Sequence, residues 1–278
     1  MHITTRGIVS SMTSNLDTLV AYSAIYNLSL ELDKIMARLC CKYNNLELLR
    51  QCNFCVGDVD KTDIISALVE GNNIDAIKYL IKKCDRTEYY SLHQSIIYYA
   101  SRTGAIDILL LVKDECVGAF LDQNICSAAS MGHFAVVKFL IGLLPNNNNL
   151  PRYAIHATAS NDLETFKLCT AYEFEPQEYI RHVLQSRSVK ILEYLVANGA
   201  IIDINAHVLV KFGMEMLDYL YTHGHIPDVK KYVLRVTRSE SCITYFRDKG
   251  ELKDCKKELL LSAIYREDFK MIDIIRDV

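Results

Sequence analysis

The residues with the most capacity for chemistry in this 278-residue chain are its ten cysteines and eight histidines. Cys52-Asn53-Phe54-Cys55 is a Cys-x-x-Cys pair, and Cys40 and Cys41 lie a dozen residues upstream. Four thiolates can hold a tetrahedral zinc ion. The spacing argues against it, because no second Cys-x-x-Cys and no His pair completes the set. Cys40, Cys41, Cys84, Cys126, Cys169 and Cys242 fall inside apolar periodic segments, where free cysteine acts as a small hydrophobe. Cys52 stands at a helix end where an apolar residue is expected. His223-Gly224-His225 offers two imidazoles with no visible third ligand. A simpler role for His223 is to close a helix beside Gly224. No metal and no cofactor are expected.

Catalytic constellations are missing as well. No Gly-x-Ser-x-Gly elbow, phosphate loop or Gly-x-Gly-x-x-Gly occurs. The histidines are scattered, and Asp60 and Asp63 read as turn and helix-start residues. The expectation is a protein that is not an enzyme. The charge balance is 31 basic to 34 acidic residues, without the basic excess that nucleic acid or an acidic membrane demands. Lys82-Lys83, Lys230-Lys231 and Lys253…Lys257 read as solvated faces. No secretory signal and no apolar run of membrane-spanning length is seen. Free thiols then place the chain in a reducing compartment, the cytoplasm.

Half of the residues are hydrophobic, with only 11 Gly and 4 Pro. That composition favours helices with short connections. One phrase recurs along the chain. A small residue is followed four positions on by Gly, Asn or another polar residue, then two positions later by an anchor opening an apolar helix. The clearest copy is Ala128-Ala129-Ser130-Met131-Gly132-His133-Phe134-Ala135-Val136-Val137-Lys138-Phe139-Leu140. Ala100 to Leu109, residues 70–80, 160–168, 186–199, 211–224 and 263–275 repeat it, and 42–50 and 242–250 do so loosely.

The anchors are Leu46, Ile74, Ile106, Phe134, Leu163, Val189, Met214, Glu240 and Phe269, spaced 25 to 32 residues apart. About nine units follow from this period. The Gly or Asn predicts a left-handed turn between two antiparallel helices. The anchor with its i+3 and i+6 partners predicts an apolar stripe that only stacked neighbours can bury.

These phrases resemble the ankyrin repeat. Gly132-His133-Phe134-Ala135-Val136-Val137-Lys138-Phe139-Leu140 matches the centre of that consensus, and Leu195-Val196-Ala197-Asn198-Gly199-Ala200 matches its end. The Thr-Pro-Leu-His opening is missing: Gln123-Asn124-Ile125-Cys126 stands in its place. Most units are also shorter than the family's about 33 residues. The resemblance implies an all-α helical-repeat solenoid of ankyrin-like helix-turn-helix units with short or irregular hairpins. It would span residues 34–278 behind an N-terminal helical cap at residues 1–33, with no further domain after the array. The style of Ala100-Ser101-Arg102-Thr103-Gly104 is similar to ankyrin proteins of large DNA viruses, and intracellular bacterial effectors use similar arrays.

The implied function is a monomeric protein–protein interaction module or scaffold, in the form of a host-directed adaptor of a virus or intracellular bacterium. The alternative is a structural component that assembles with itself. Binding would fall to the loops that carry aromatics: Tyr89, Tyr90 and His93; Arg152 and Tyr153 after the Asn146–Asn149 run; and Tyr172 and Phe174. The competing role for these side chains is to staple one unit to the next.

Overall fold

A computed structural model describes residues 46–51, 61–84, 88–116, 120–144, 148–172, 174–203, 213–226 and 228–276. The expected cap at 1–33 and the thiols Cys40, Cys41, Cys52 and Cys55 lie outside them. Among the described residues the chain is all-helical, with no strand. The connections expected to be short or irregular hairpins therefore contain no β pairing, again among the described residues. No described helix is long and apolar enough to cross a membrane.

The helices are α1 (Leu46–Gln51), α2 (Lys61–Glu70), α3 (Ile74–Lys83), α4 (Tyr89–Thr103), α5 (Ile106–Leu111), α6 (Phe120–Ser130), α7 (Phe134–Gly142) and α8 (Leu150–Thr158). They continue as α9 (Leu163–Cys169), α10 (Pro176–Ser186), α11 (Val189–Ala197), α12 (Met214–Thr222), α13 (Val229–Arg235), α14 (Glu240–Asp248), α15 (Lys256–Tyr265) and α16 (Phe269–Arg276). Every anchor read from the sequence is the first residue of a helix.

For six of the nine the reason is the turn before it. Two positions ahead of a helix start, the backbone is left-handed at Asn72, Gly104, Gly132, Asn161, Arg187 and Glu267, with φ between 50° and 78°. One positive φ redirects the chain, so the next helix runs back along the first. The amide after the left-handed residue then reaches back across the last turn. Asn73 N donates to Leu68 O, Ala105 N to Ala100 O, Ser188 N to Val183 O, and Asp268 N to Ala263 O, at 2.9 to 3.1 Å.

The residue four before the left-handed one is fully buried in each case: Leu68, Ala100, Ala128, Ala157, Val183 and Ala263. It is often small, but Leu68 and Val183 show that size is not the requirement. The same device ends three second helices, where Gly199, Gly224 and Gly250 are left-handed. There Ala200 N, His225 N and Glu251 N bond Leu195, Leu220 and Phe246 carbonyls. The unit opening at Glu240 differs: Ser239 caps α14 by accepting from Cys242 N.

The buried stripe of most second helices keeps the expected i+3 and i+6 partners and adds the residue two after the anchor. Most anchors sit at the edge: Phe134, Met214 and Phe269 are exposed, and Ile74, Ile106 and Leu163 half-buried, while Val189 is buried. The core takes the residues two, three and six positions on. They are Ala76, Ile77 and Leu80 in α3; Val136, Val137 and Leu140 in α7; Ile191, Leu192 and Leu195 in α11; Met216, Leu217 and Leu220 in α12; and Cys242, Ile243 and Phe246 in α14. At about 100° per residue these three directions span a single arc of about 100°, and the anchor lies about 60° outside it.

The chain divides into two compact units. In the first, Met1–Ala128 with Ala135–Leu144, α2 packs on α3 and α4, α4 on α5, and α1 on α3. In the second, Ala129–Phe134 with Pro145–Val278, α8 pairs with α9, α10 with α11, α13 with α14 and α15 with α16. First helices also pack on first helices (α8 on α10), and second on second: α9 on α11, α11 on α12, α14 on α16. Polar ties in this unit join residues 24 to 30 positions apart. Arg266 donates to the Thr237 hydroxyl and carbonyl at 2.8 Å. Gln177 exchanges two hydrogen bonds with the Ile201 backbone, and Lys270 pairs with Glu240 at 2.8 Å.

The left-handed turns make two linked predictions. A non-glycine residue there costs about 1–2 kcal/mol, and glycine's extra chain entropy returns about 0.5–1 of it. Arg187→Gly should therefore stabilise the fold by roughly 0.5–1 kcal/mol in urea denaturation. Gly132→Ala should destabilise it by about 1–2 kcal/mol, because the added Cβ also meets the Cβ atoms of Ser160 and Asp162 at 3.3 Å. Ser101 tests the packing of the first helices. Its hydroxyl is fully buried without a hydrogen-bond partner, so Ser101→Ala should raise stability by about 1 kcal/mol in the same assay.

Candidate interaction surface

In the first unit, α4 opens with Tyr89-Tyr90 and α6 opens with Phe120. Tyr90 is 62% exposed and Phe120 47% exposed. Their rings meet edge-on at 6.5 Å between centroids. Together with Gln94, Ile97, Glu115, Cys116, Leu121 and Asn124 they line a shallow depression. The amide nitrogen of Gln94 is buried there without an acceptor. Tyr89 donates to Glu115 Oε1 at 2.8 Å, and that hydrogen bond to the carboxylate raises its pKa. His93 is a core residue, 4% exposed. Its ring packs at a tilt against Tyr89 at 4.0 Å, and Nδ1 lies 2.7 Å from the Tyr89 carbonyl. Its contribution is to hold Tyr89 in place.

The second unit sorts its aromatics differently. Tyr153 is fully buried in α8, so its side chain supports the core and presents nothing at the surface. Arg152, next to it, is exposed. Tyr172 is 77% exposed in the bend between α9 and α10. Phe174, two residues on, turns inward to a four-ring cluster. It packs against Tyr194 at 5.3 Å and against Phe166 and Tyr179 at 6.4 and 6.5 Å. Phe174 is a staple between α9, α10 and α11. The structure thus brings Tyr89, Tyr90 and His93 to one place, and separates exposed Arg152 and Tyr172 from buried Tyr153 and stapled Phe174.

Three features were not found by reading the sequence. Phe120 was passed over because it stands alone, and Gln94 because one polar residue inside a helix carries no signal. The third is a tie between α12 and α14. Tyr245 donates to Asp218 at 2.8 Å, and Tyr221 to Glu251 at 2.5 Å. The Lys249 ammonium lies 5.3 Å from the Tyr245 ring centroid and 3.4 Å from Asp218. The Tyr245 hydrogen bond, helped by Lys249, lowers the Asp218 pKa. A period near 30 between tyrosines and acids was the available clue.

Cys126, Cys169 and Cys242 are buried. His223 and His225 stack with Tyr219 at 4.2 and 6.0 Å. Burial, and the neighbouring His223, lower the His225 pKa. Among the described residues no group of His, Cys, Asp and Glu is placed to hold a metal ion. Burial, with Glu115 and Asp114 nearby, pushes the Cys116 thiol up to about 11, so it stays protonated at neutral pH. Comparison of the chain with family models, with curated proteins and with solved structures found no match.

This sorting is open to a direct check by denaturation and circular dichroism. Tyr153→Ala and Phe166→Ala should each cost about 3–5 kcal/mol. Tyr90→Ala and Tyr172→Ala should change stability by less than about 0.5 kcal/mol. The lowered His225 pKa adds a pH dependence. The unfolded chain takes up this proton near 6.5 and the folded chain only at lower pH. The contribution is present above 6.5 and lost as pH falls from there to the folded value. His225→Gln should flatten urea-stability profiles in that window.

Proposed function

We propose that this chain is an ankyrin-like helical-repeat module that works by binding another protein, through the tips at which successive first helices begin. The recurring left-handed turns and the buried trio of each second helix support the repeat reading. They consume the apolar face of each helix in stacking, which leaves recognition to tips and loops.

The observation that carries the binding reading is the Tyr90–Phe120 pair. Two large aromatic side chains stand exposed side by side. Tyrosine is among the residue types that dominate interface hot spots. A partner would cover the two rings. Tyr89 and Glu115 would form the polar rim.

Site-directed photocrosslinking tests this. A benzophenone side chain is placed at position 90 in one protein and at position 172 in another. Position 90 should yield one discrete adduct, and Phe120→Ser should suppress it at least tenfold, the loss of about 1.4 kcal/mol at a hot spot. Equal adducts from both positions, or an adduct indifferent to Phe120→Ser, would sink the reading.

A further inference from the structure

Between α1 and α3, in the first unit, lies an open cavity of about 840 Å³. Its volume is that of a ligand-binding cleft, about 300–1,000 Å³. Three helical rows line it. Leu46 and Arg50 stand one turn apart on α1, and Lys78 and Lys82 one turn apart on α3. The third row, also on α3, is Asp75, Tyr79 and Lys83. Four cations and one acid therefore line the cavity, in a chain whose net charge is −3.

Lys78 and Lys82 set this place apart. Both are exposed, and among the described residues neither has a hydrogen bond or an ion pair. Lysines on other helices meet an acid: Lys167 meets Glu164 at 3.2 Å, Lys230 meets Glu258 at 3.3 Å, and Lys270 meets Glu240 at 2.8 Å. Asp75 and Lys78 stand at the same two positions after their anchor as Glu164 and Lys167, yet they do not pair. The helix dipole accounts for basic residues in a last turn, which covers Lys82 and Lys83 but not Lys78.

We propose that this cavity binds an extended acidic segment of a partner protein, with carboxylates at alternate positions. Three arguments select that ligand. The first is charge: Lys78 and Lys82 lack carboxylates, and Arg50 and Lys83 add to the positive potential around them, which draws in an anion. The second is spacing. Four residues along α3 rise about 6 Å. Alternate side chains of an extended chain lie about 6.6 Å apart on one face, so each carboxylate of a Glu-x-Glu segment meets one lysine. The third is the wall. Leu46 and Tyr79 are half-buried beside the cations, and they suit an apolar residue two positions further along the same segment. An inorganic anion has no use for that wall. The site includes neither Tyr90 nor Phe120, so photocrosslinking there can fail while this cavity still binds its ligand.

The test is fluorescence anisotropy with the full chain and a fluorescein-labelled peptide, Gly-Glu-Ser-Glu-Ser-Leu-Gly, at low ionic strength. Saturable binding is expected, and it should weaken as salt rises. The same peptide with Gln for both Glu should bind roughly tenfold more weakly or worse. Lys78→Glu combined with Lys82→Glu should also weaken binding by roughly tenfold or more. Lys190→Glu combined with Lys231→Glu makes the same change of net charge at exposed positions on α11 and α13, and should alter binding less than about twofold. Asp75→Asn removes the one acid of the lining and should tighten binding about two- to fivefold. Circular dichroism should match the parent throughout, since every substituted side chain is exposed. Unlabelled peptide should compete better than pyrophosphate. No saturable binding, equal losses from the two lysine pairs, no gain from Asp75→Asn, or stronger competition by pyrophosphate would each overturn the proposal.

Discussion

The fold depends on one backbone constraint. Each described first helix with a resolved turn, apart from the one before Glu240, ends on a residue in the left-handed region, two positions ahead of the next helix. A helix end leaves carbonyls without partners. The left-handed residue lets the following amide return to one of them, and the chain doubles back. The reversal sets which residues of the second helix face the first. It therefore sets the buried trio, and through the trio the stacking. Arg187 and Glu267 show that the constraint belongs to the backbone. The conformation is kept where the sequence supplies neither Gly nor Asn, at a conformational cost the packing offsets.

Much of this was legible in the sequence. The anchors fall on helix starts, and before six of them a left-handed turn leaves its mark in the sequence. Gly104, Gly132 and Asn161 are the residue types that tolerate positive φ. What the sequence could not state was direction. An apolar anchor such as Phe134 looks like core, yet it opens the helix about 60° from the buried arc. Thr165 and Ala76, by contrast, look unremarkable and are buried. Hydrophobicity marks the element, while its rotation follows from the turn geometry.

The aromatic residues show the same limit at the surface. Tyr153 and Tyr172 are alike in type and lie in neighbouring loops or helix starts, but one is core and the other solvent-facing. Phe174, two residues from Tyr172, joins a ring cluster. A tyrosine is amphipathic and suits either place. Only the neighbours decide, and they come from the adjacent pair. Phe120 meets Tyr90 only in three dimensions, with their ring centroids 6.5 Å apart.

The ties between successive pairs share a short reach along the chain. Gln177 to Ile201, Tyr245 to Asp218, Arg266 to Thr237 and Lys270 to Glu240 are separated by 24 to 30 residues. None waits for a distant part of the polypeptide. Such a chain can begin to order while it is being synthesised. Each pair finds its support as soon as the next one leaves the ribosome. Low contact order also makes the search rapid, and the nascent protein need not hold large apolar surfaces open until translation ends.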